Sequence, residues 1–172
     1  DNTTDSSKDG VIDFSKIKTG GTFLTNVVGS EKVFCKELFS EEEKMIYEAM
    51  RDFATNELLP LSQNELNKKD EKLIRKLVEQ MGELGFLGID VPEKYGGSEM
   101  TKTGMCILAE GISFCGSPSF CTVWNVQTSI GSLGIIWYGN DEQKKKWLPG
   151  ICSGEKITAF GLTEPEAGSD AT

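Results

Sequence analysis

The sequence contains no histidine, only five prolines among 172 residues, and no run of 18 apolar residues. Without histidine, a Ser-His-Asp triad, a histidine metal ligand and a histidine general base are excluded within these residues. Without a long apolar run, no membrane-spanning helix is expected. Lysine and arginine total 18 against 27 acidic residues, and the resulting net charge of −9 disfavours binding of nucleic acid.

Cysteine is present but is not arranged for cross-linking. The five cysteines are Cys35, Cys106, Cys115, Cys121 and Cys152, and no two of them form a CxxC pair. An odd number without such a pair argues against a disulfide framework and against a zinc site. The pattern favours a reducing compartment and buried thiols, and it gives no metal-binding residue.

Apolar residues make up 38% of the chain and charged residues 26%, which is typical of a soluble protein with a core. The first predicted helix begins at Ser40, which forms a capping box with Glu43, and Pro60 marks a kink or an end near its far terminus. The second covers Glu71–Leu84, and Gly85 ends it. Their predicted core residues recur at helical spacing: Ile46, Ala49, Met50, Phe53, Ala54 and Leu58 in the first helix, and Leu73, Leu77, Val78, Met81 and Leu84 in the second.

Three further helices are predicted beyond the irregular stretch "GFLGIDVPEKYGG". One covers about 103–114, and a mainly apolar one covers about 119–138 and ends at Gly139. The glycines inside this apolar helix, Gly131 and Gly134, indicate close approach of a neighbour or a ligand. The last begins with a capping box of Asn140 and Gln143 and is predicted to end at Pro149–Gly150.

The chain changes character after these helices. Residues 157–162 alternate as a strand does, and turn residues follow at once in "TEPEAGSDAT". The predicted fold is therefore all-α in the part present, a bundle of about five helices followed by the first strand of a truncated β domain. We divide the chain into an extended or partly disordered lead (1–37), a helical domain (38–155) and the start of the β domain (156–172).

The closing loop presents backbone N–H groups and the hydroxyls of Thr163 and Ser169. These groups suit the polar edge of a flat heterocycle or a phosphate. An ordinary hairpin loop contains the same residue types, and loop composition alone favours that interpretation.

The order of residues in this loop resembles the flavin-binding signature of the acyl-CoA dehydrogenase family. That signature runs small residue, aliphatic residue, Ser/Thr, Glu, two variable positions, small residue, Gly, Ser/Thr, Asp, and residues 161–170 fit it position by position. Glu166 replaces a frequent glycine at a variable position. The stretches "LGFLGIDVPEKYGG" (84–97) and "QTSIGSLGIIWYGNDEQKKKWLPGICSGE" (127–155) also resemble the family, so the resemblance covers roughly residues 38–172.

The resemblance implies that one edge of an FAD site lies in this loop. Leu162 would pack at the flavin, Thr163 would bind its pyrimidine edge, and Ser169 would lie near both flavin and acyl-CoA. Tyr95 would lie at the cleft, and Gly131 and Gly134 would border the acyl tail. The implied cofactor-binding residues are Phe160, Gly161, Leu162, Thr163, Gly168 and Ser169, and the implied substrate-binding residues are Ser169, Tyr95, Gly131 and Gly134.

The implied activity is oxidation of the α,β bond of an acyl-CoA thioester in fatty-acid β-oxidation or amino-acid catabolism. The family's catalytic base is a glutamate far downstream, so no catalytic residue is assigned and the 172 residues alone are expected to be inactive. The resemblance also implies electron transfer to an electron-transferring flavoprotein, a homo-oligomer, and a location in the mitochondrial matrix or the bacterial cytoplasm. A non-catalytic relative that keeps the helical domain as an assembly or interaction module is the alternative.

Overall fold

The computed structural model describes residues 36–61, 65–68 and 70–170. The chain divides into two compact units, residues 1–45 and 46–172. In the first unit, the described residues form a 3-10 turn at Lys36–Leu38 and the beginning of the first α-helix. The predicted N-terminal lead lies outside the described residues up to residue 35, and so does Cys35.

Six α-helices lie within the described residues, so the predicted all-α class is confirmed. They are α1 (Glu41–Phe53), α2 (Glu71–Glu83), α3 (Lys102–Ile112), α4 (Pro118–Thr128), α5 (Leu133–Tyr138) and α6 (Asp141–Cys152). A π-helical turn at Ala54–Leu58 and a 3-10 turn at Leu59–Leu61 continue α1, and further 3-10 turns are Leu66–Lys68, Glu93–Tyr95 and Ser113–Cys115. Within the described ranges no helix is long and apolar enough to cross a membrane.

Both predicted capping boxes are formed. The Ser40 hydroxyl accepts a hydrogen bond from the Glu43 amide at 3.1 Å, and the Glu43 carboxylate accepts one from the Ser40 amide at 2.9 Å. Asn140 and Gln143 make the same reciprocal pair at the start of α6, with both bonds 2.9 Å long. Each box satisfies two backbone donors that the first turn of a helix leaves unpaired.

The main core lies in the second unit. It consists of apolar side chains from α1 to α4 and from the irregular stretch after α2: Met50, Phe53, Ala54, Leu58, Leu66, Leu77, Val78, Met81, Phe86, Leu87, Ile89, Leu108, Ile112, Cys115, Phe120 and Trp124. The irregular stretch is held there because the Trp124 indole donates a hydrogen bond to the Phe86 carbonyl at 3.0 Å. Two predicted core residues, Ala49 and Leu84, are exposed. Leu84 caps the end of α2, where the helical periodicity no longer determines its direction.

The prediction of one helix over 119–138 is wrong, because residues 129–132 form a turn that separates α4 from α5. Three hydroxyl side chains bond to backbone carbonyls there: Thr128 to Trp124 and Ser129 to Asn125, followed by Ser132 to Ser129. Such local bonds compete with the helical ladder. The Gly131 amide then bonds to the Val126 carbonyl, five residues back, at 2.9 Å. As predicted, α5 ends at Gly139.

The predicted end of the last helix at Pro149–Gly150 is also wrong, because α6 continues to Cys152. Proline has no backbone N–H to donate, and here the helix tolerates that loss within its final turn. The helix ends where Gly154 adopts a left-handed conformation with φ of 79°, the usual role of glycine just beyond a helix. The following segment leads directly to the closing loop.

Candidate functional site

The segment that leads into the closing loop is attached to the helices by one buried side chain. Gln127, in the last turn of α4, is 1% exposed. Its amide nitrogen donates to the carbonyl of Lys156 at 2.8 Å and to the carbonyl of Ile151 at 3.1 Å. Its amide oxygen accepts from the backbone and hydroxyl of Thr158, at 2.8 and 3.1 Å. One side chain therefore joins α4, the end of α6 and the segment after it.

Two glycines let this segment lie close to the helices. A Cβ atom on Gly131 would meet the Thr158 hydroxyl oxygen at 2.3 Å, and one on Gly150 would meet the Lys156 amine at 2.7 Å. The Lys156 amide also donates to the Gly150 carbonyl at 2.8 Å. A neighbour thus approaches Gly131 closely, as the sequence predicts, and that neighbour is the side chain of Thr158.

The closing loop itself is exposed. Residues 157–163 have neither helix nor strand assigned, and the isolated bridge between Glu164 and Ala167 is the only β pairing in the described ranges. The strand predicted over residues 157–162 is not formed, because these residues have no neighbouring strand to pair with in the described ranges. Phe160 and Leu162 are each 56% exposed. Phe160 and Leu162 therefore form an accessible apolar surface in this segment.

The small and hydroxylated residues of the loop leave room and hydrogen-bonding capacity. A Cβ atom on Gly161 or Gly168 would meet nothing within 4 Å. Thr163 and Ser169 are exposed, and no described residue bonds to either hydroxyl. Because Phe160 and Leu162 lie in the same segment, the loop offers an apolar surface beside free hydroxyls and accessible backbone, which is a suitable edge for a planar, polar ring system.

Two other predicted site residues, Tyr95 and Gly134, are far from this loop in sequence. Tyr95 is buried in a second apolar cluster with Val91, Leu148, Ile151 and Cys152. Its hydroxyl donates to the Asp141 carboxylate at 2.7 Å. This hydrogen bond, followed by the charge of Lys94, lowers the pKa of Asp141 below its ordinary value.

Gly134 faces open space, since a Cβ atom there would meet nothing within 4 Å. It lines a shallow pocket of about 250 Å³ together with Ile135, Tyr138, Gly139, Gln143 and Trp147. Ile135 also packs against the cluster that contains Tyr95. The structure thus places Gly131 against the segment that leads into the closing loop. Tyr95 and Gly134 lie elsewhere, near Ile135 of α5.

Sequence analysis did not assign a role to Gln127. The signal that could have found it is a glutamine near the end of a mainly apolar helix, because a buried amide requires hydrogen-bond partners. Its partners were not predictable, because Ile151, Lys156 and Thr158 lie 24, 29 and 31 residues further along the chain.

Comparison with known proteins gives the family. The model of the acyl-CoA dehydrogenase N-terminal domain matches residues 40–155. A probable acyl-CoA dehydrogenase of Bacillus subtilis is 42% identical over 155 residues, which are 90% of this chain and 26% of that protein. The human mitochondrial short-chain specific acyl-CoA dehydrogenase is 37% identical over 131 residues, or 76% of this chain and 31% of that protein.

A solved structure shows the same relationship in three dimensions. The acyl-CoA dehydrogenase of Bacillus anthracis, crystallised with FAD, superposes with a TM-score of 0.76 at 43% identity, over 88% of this chain and 26% of that chain. The chain therefore spans between a quarter and a third of the length of these relatives. On a match that covers most of its residues, this chain belongs to the acyl-CoA dehydrogenase family and contains the family's N-terminal domain.

Proposed function

We propose that this chain is part of an FAD-dependent acyl-CoA dehydrogenase that oxidises the α,β bond of an acyl-CoA thioester. The observation that carries the proposal is the closing loop, whose segment is fixed to the helices at Thr158 while Phe160 to Ser169 remain largely exposed. A loop that is anchored at its base and open at its surface is arranged to bind a ligand rather than to fill a core.

The loop residues fit the isoalloxazine ring of FAD. In this proposal Leu162 and Phe160 contact the apolar face, and Thr163 bonds to the pyrimidine edge through its free hydroxyl and backbone. Gly161 and Gly168 allow the ring to approach the backbone, and Ser169 bonds at the side where the substrate lies. FAD, when bound, accepts the hydride that leaves the substrate β-carbon.

The acyl-CoA contacts are proposed for two accessible positions first. Ser169 is exposed, and Gly134 borders the open pocket beside Trp147. Contacts of Gly131 and Tyr95 with the substrate stay predictions. Thr158 lies against Gly131, and Tyr95 is buried in the second apolar cluster. Each methylene of an acyl tail that is buried at Gly134 would contribute about 0.8 kcal/mol, so Gly134→Leu should shift the preferred chain length toward shorter acyl groups.

The remaining features of the whole enzyme are proposed from family membership. The electron acceptor is an electron-transferring flavoprotein, the assembly is a homo-oligomer, and the location is the mitochondrial matrix or the bacterial cytoplasm. The relatives include a mitochondrial human enzyme and bacterial proteins. The catalytic base is a glutamate downstream of residue 172, so these 172 residues alone should neither retain stoichiometric FAD through gel filtration nor turn over acyl-CoA.

The test uses the longer protein that contains this chain. It should purify with visible flavin absorbance, and anaerobic addition of straight-chain acyl-CoAs should bleach that absorbance. Thr163→Val and Ser169→Ala should each weaken FAD binding about 2- to 10-fold, since each removes one hydrogen bond worth about 0.5–1.5 kcal/mol. Ser119→Ala, which removes an exposed hydroxyl in the first turn of α4, is the matched control.

Two results would contradict the proposal. One is a longer protein that folds but binds no FAD, which would favour a non-catalytic role for the helical domain. The other is a flavoprotein whose absorbance no acyl-CoA bleaches.

A further inference from the structure

We infer that Gln127 is a positioning residue that acts as the strand partner of the segment before the flavin loop and thereby fixes where that loop lies. The effect of Gln127 on FAD binding rests on the proposed function, because it assumes that the loop residues bind FAD. Its structural basis is the pattern of four hydrogen bonds at one buried amide.

The pattern is that of a parallel β-ladder. In such a ladder, one residue donates its N–H to a carbonyl of the neighbouring strand and accepts from the N–H two residues further along that strand. The Gln127 amide donates to the Lys156 carbonyl and accepts from the Thr158 amide, both at 2.8 Å. The side-chain amide therefore supplies the donor and the acceptor that a strand residue opposite Ile157 would supply from its own N–H and C=O. No strand lies beside this segment within the described residues.

The bonding capacity of this amide is fully used. A glutamine side chain has two N–H donors and an oxygen that accepts two hydrogen bonds. The second donor of Gln127 bonds to the Ile151 carbonyl, near the end of α6, and the oxygen's second bond comes from the Thr158 hydroxyl. A shift of the segment by one residue would break the bonds to Lys156 and Thr158 together, so the side chain specifies a single register.

A second observation points to the same fixed position. Gly131, four residues after Gln127, leaves only enough space for Thr158, because a Cβ atom would meet the Thr158 Cβ at 2.7 Å and its hydroxyl oxygen at 2.3 Å. Thr158 is thus held both by its hydrogen bonds to Gln127 and by its contact with Gly131. Phe160, the first residue of the proposed flavin edge, follows only two residues later, within about 7 Å of extended chain.

The first arm of the test uses the 172-residue chain without cofactor and measures hydrogen exchange at the backbone amide of position 158. Gln127→Met keeps the length of the side chain but removes every hydrogen bond, and it should accelerate exchange at Thr158 at least about tenfold. Thr158→Val removes only the hydroxyl bond, so exchange at the amide of position 158 should increase less in that variant. Gln80→Met, at a partly exposed glutamine of α2, is the control and should leave exchange at Thr158 unchanged.

Amides of α2 such as Leu77 and Val78, which are buried in the core, report whether a variant is folded. They should keep their protection in all three variants. If Gln127→Met lowers the protection of these α2 amides as well, that variant is not folded and Thr158→Val is compared with the wild type instead. Unchanged exchange at position 158 in Thr158→Val then overturns the inference. Unchanged exchange at Thr158 in a folded Gln127→Met variant also overturns it.

The second arm uses the longer protein and measures FAD affinity and the flavin absorbance spectrum. Gln127→Met should weaken FAD binding at least about threefold and shift the spectrum, although Gln127 itself lies in α4 and outside the proposed FAD contacts. Equal affinity and an identical spectrum overturn the inference. A wild-type protein that binds no FAD contradicts the proposed function instead, and the exchange arm then decides on Gln127.

Discussion

Replacing Gly131 and Gly134 by alanine should have different effects on stability, although the two glycines are only three residues apart. At Gly131, the added Cβ would lie 2.3 Å from the Thr158 hydroxyl oxygen and 2.8 Å from the Val126 carbonyl oxygen. Neither neighbour can move freely, because Val126 is part of α4 and Thr158 is bonded to Gln127. At Gly134 the added Cβ meets nothing within 4 Å.

These contacts give the size of the effect. Insertion of an extra carbon into a packed site costs about 1–3 kcal/mol, and the lower backbone entropy of alanine in the unfolded chain offsets about 0.4–1 kcal/mol of that cost. Gly131→Ala should therefore lower the free energy of unfolding by about 1–2 kcal/mol. Gly134 lies within α5, where alanine is favoured over glycine by up to about 1 kcal/mol, so Gly134→Ala should be neutral or stabilising.

Urea unfolding followed by far-ultraviolet circular dichroism would measure both effects. With a urea dependence of about 2 kcal/mol per molar, the two variants should differ in midpoint by about 1 M. Equal midpoints would refute the reasoning, because they would mean that Thr158 does not occupy the space beside Gly131. A midpoint for Gly134→Ala below that of Gly131→Ala would refute it more strongly.

Three further perturbations test other contacts. Asn140→Ala removes half of the α6 capping box and should lower the free energy of unfolding by about 1 kcal/mol; an unchanged urea midpoint would contradict this. Tyr95→Phe removes the hydrogen bond that lowers the pKa of Asp141 below its ordinary value. A carboxylate with a lowered pKa stabilises the folded state at pH values above its ordinary pKa. That stabilisation is lost as the pH falls through the pKa of the folded state. The stability difference between wild type and Tyr95→Phe, measured by urea unfolding from about pH 6 to about pH 2, should therefore shrink toward low pH, and a constant difference would show that Asp141 is not involved. Burial raises the pKa of Cys121 to about 12, so iodoacetamide at neutral pH should label the exposed Cys106 at least about tenfold faster; equal rates by peptide mass spectrometry would show that Cys121 is accessible as a thiolate.

Local features of the fold could be predicted from the sequence. The capping boxes at Ser40 and Asn140 depend on residues three positions apart, and the amphipathic stripe of α2 depends on the spacing within one helix. Each is determined by short-range sterics and hydrogen bonding, so sequence spacing is sufficient. The all-α class follows from the same local signals.

The two wrong helix boundaries lie where contacts outside the helical periodicity contribute to the conformation. The turn between α4 and α5 combines the local hydroxyl bonds of residues 128–132 with the distant approach of Thr158 to Gly131. The continuation of α6 past Pro149 is followed by a left-handed turn at Gly154. A Cβ atom on Gly154 would meet the Val78 carbonyl at 2.6 Å, so that turn is fitted against α2. Helical periodicity contains no information on either contact.

The candidate site was predictable to a similar extent. The loop residues from Phe160 to Ser169 form a contiguous pattern, and the structure places them on the surface. The burial of Tyr95 against α6 and the four bonds of Gln127 join segments that are far apart in sequence. Their roles required the packing of the helices to be known.

The three tryptophans, all of which lie in the described residues, differ widely in solvent contact. Trp124 is 3% exposed and bonded to the Phe86 carbonyl, whereas Trp137 is 58% and Trp147 is 39% exposed. The emission of an indole shifts to longer wavelength as water reaches it, so the protein contains its own fluorescent reporters for two separate events. Emission from Trp124 should change only when the core opens, and emission from Trp137 and Trp147 should change when another surface covers α5 and α6.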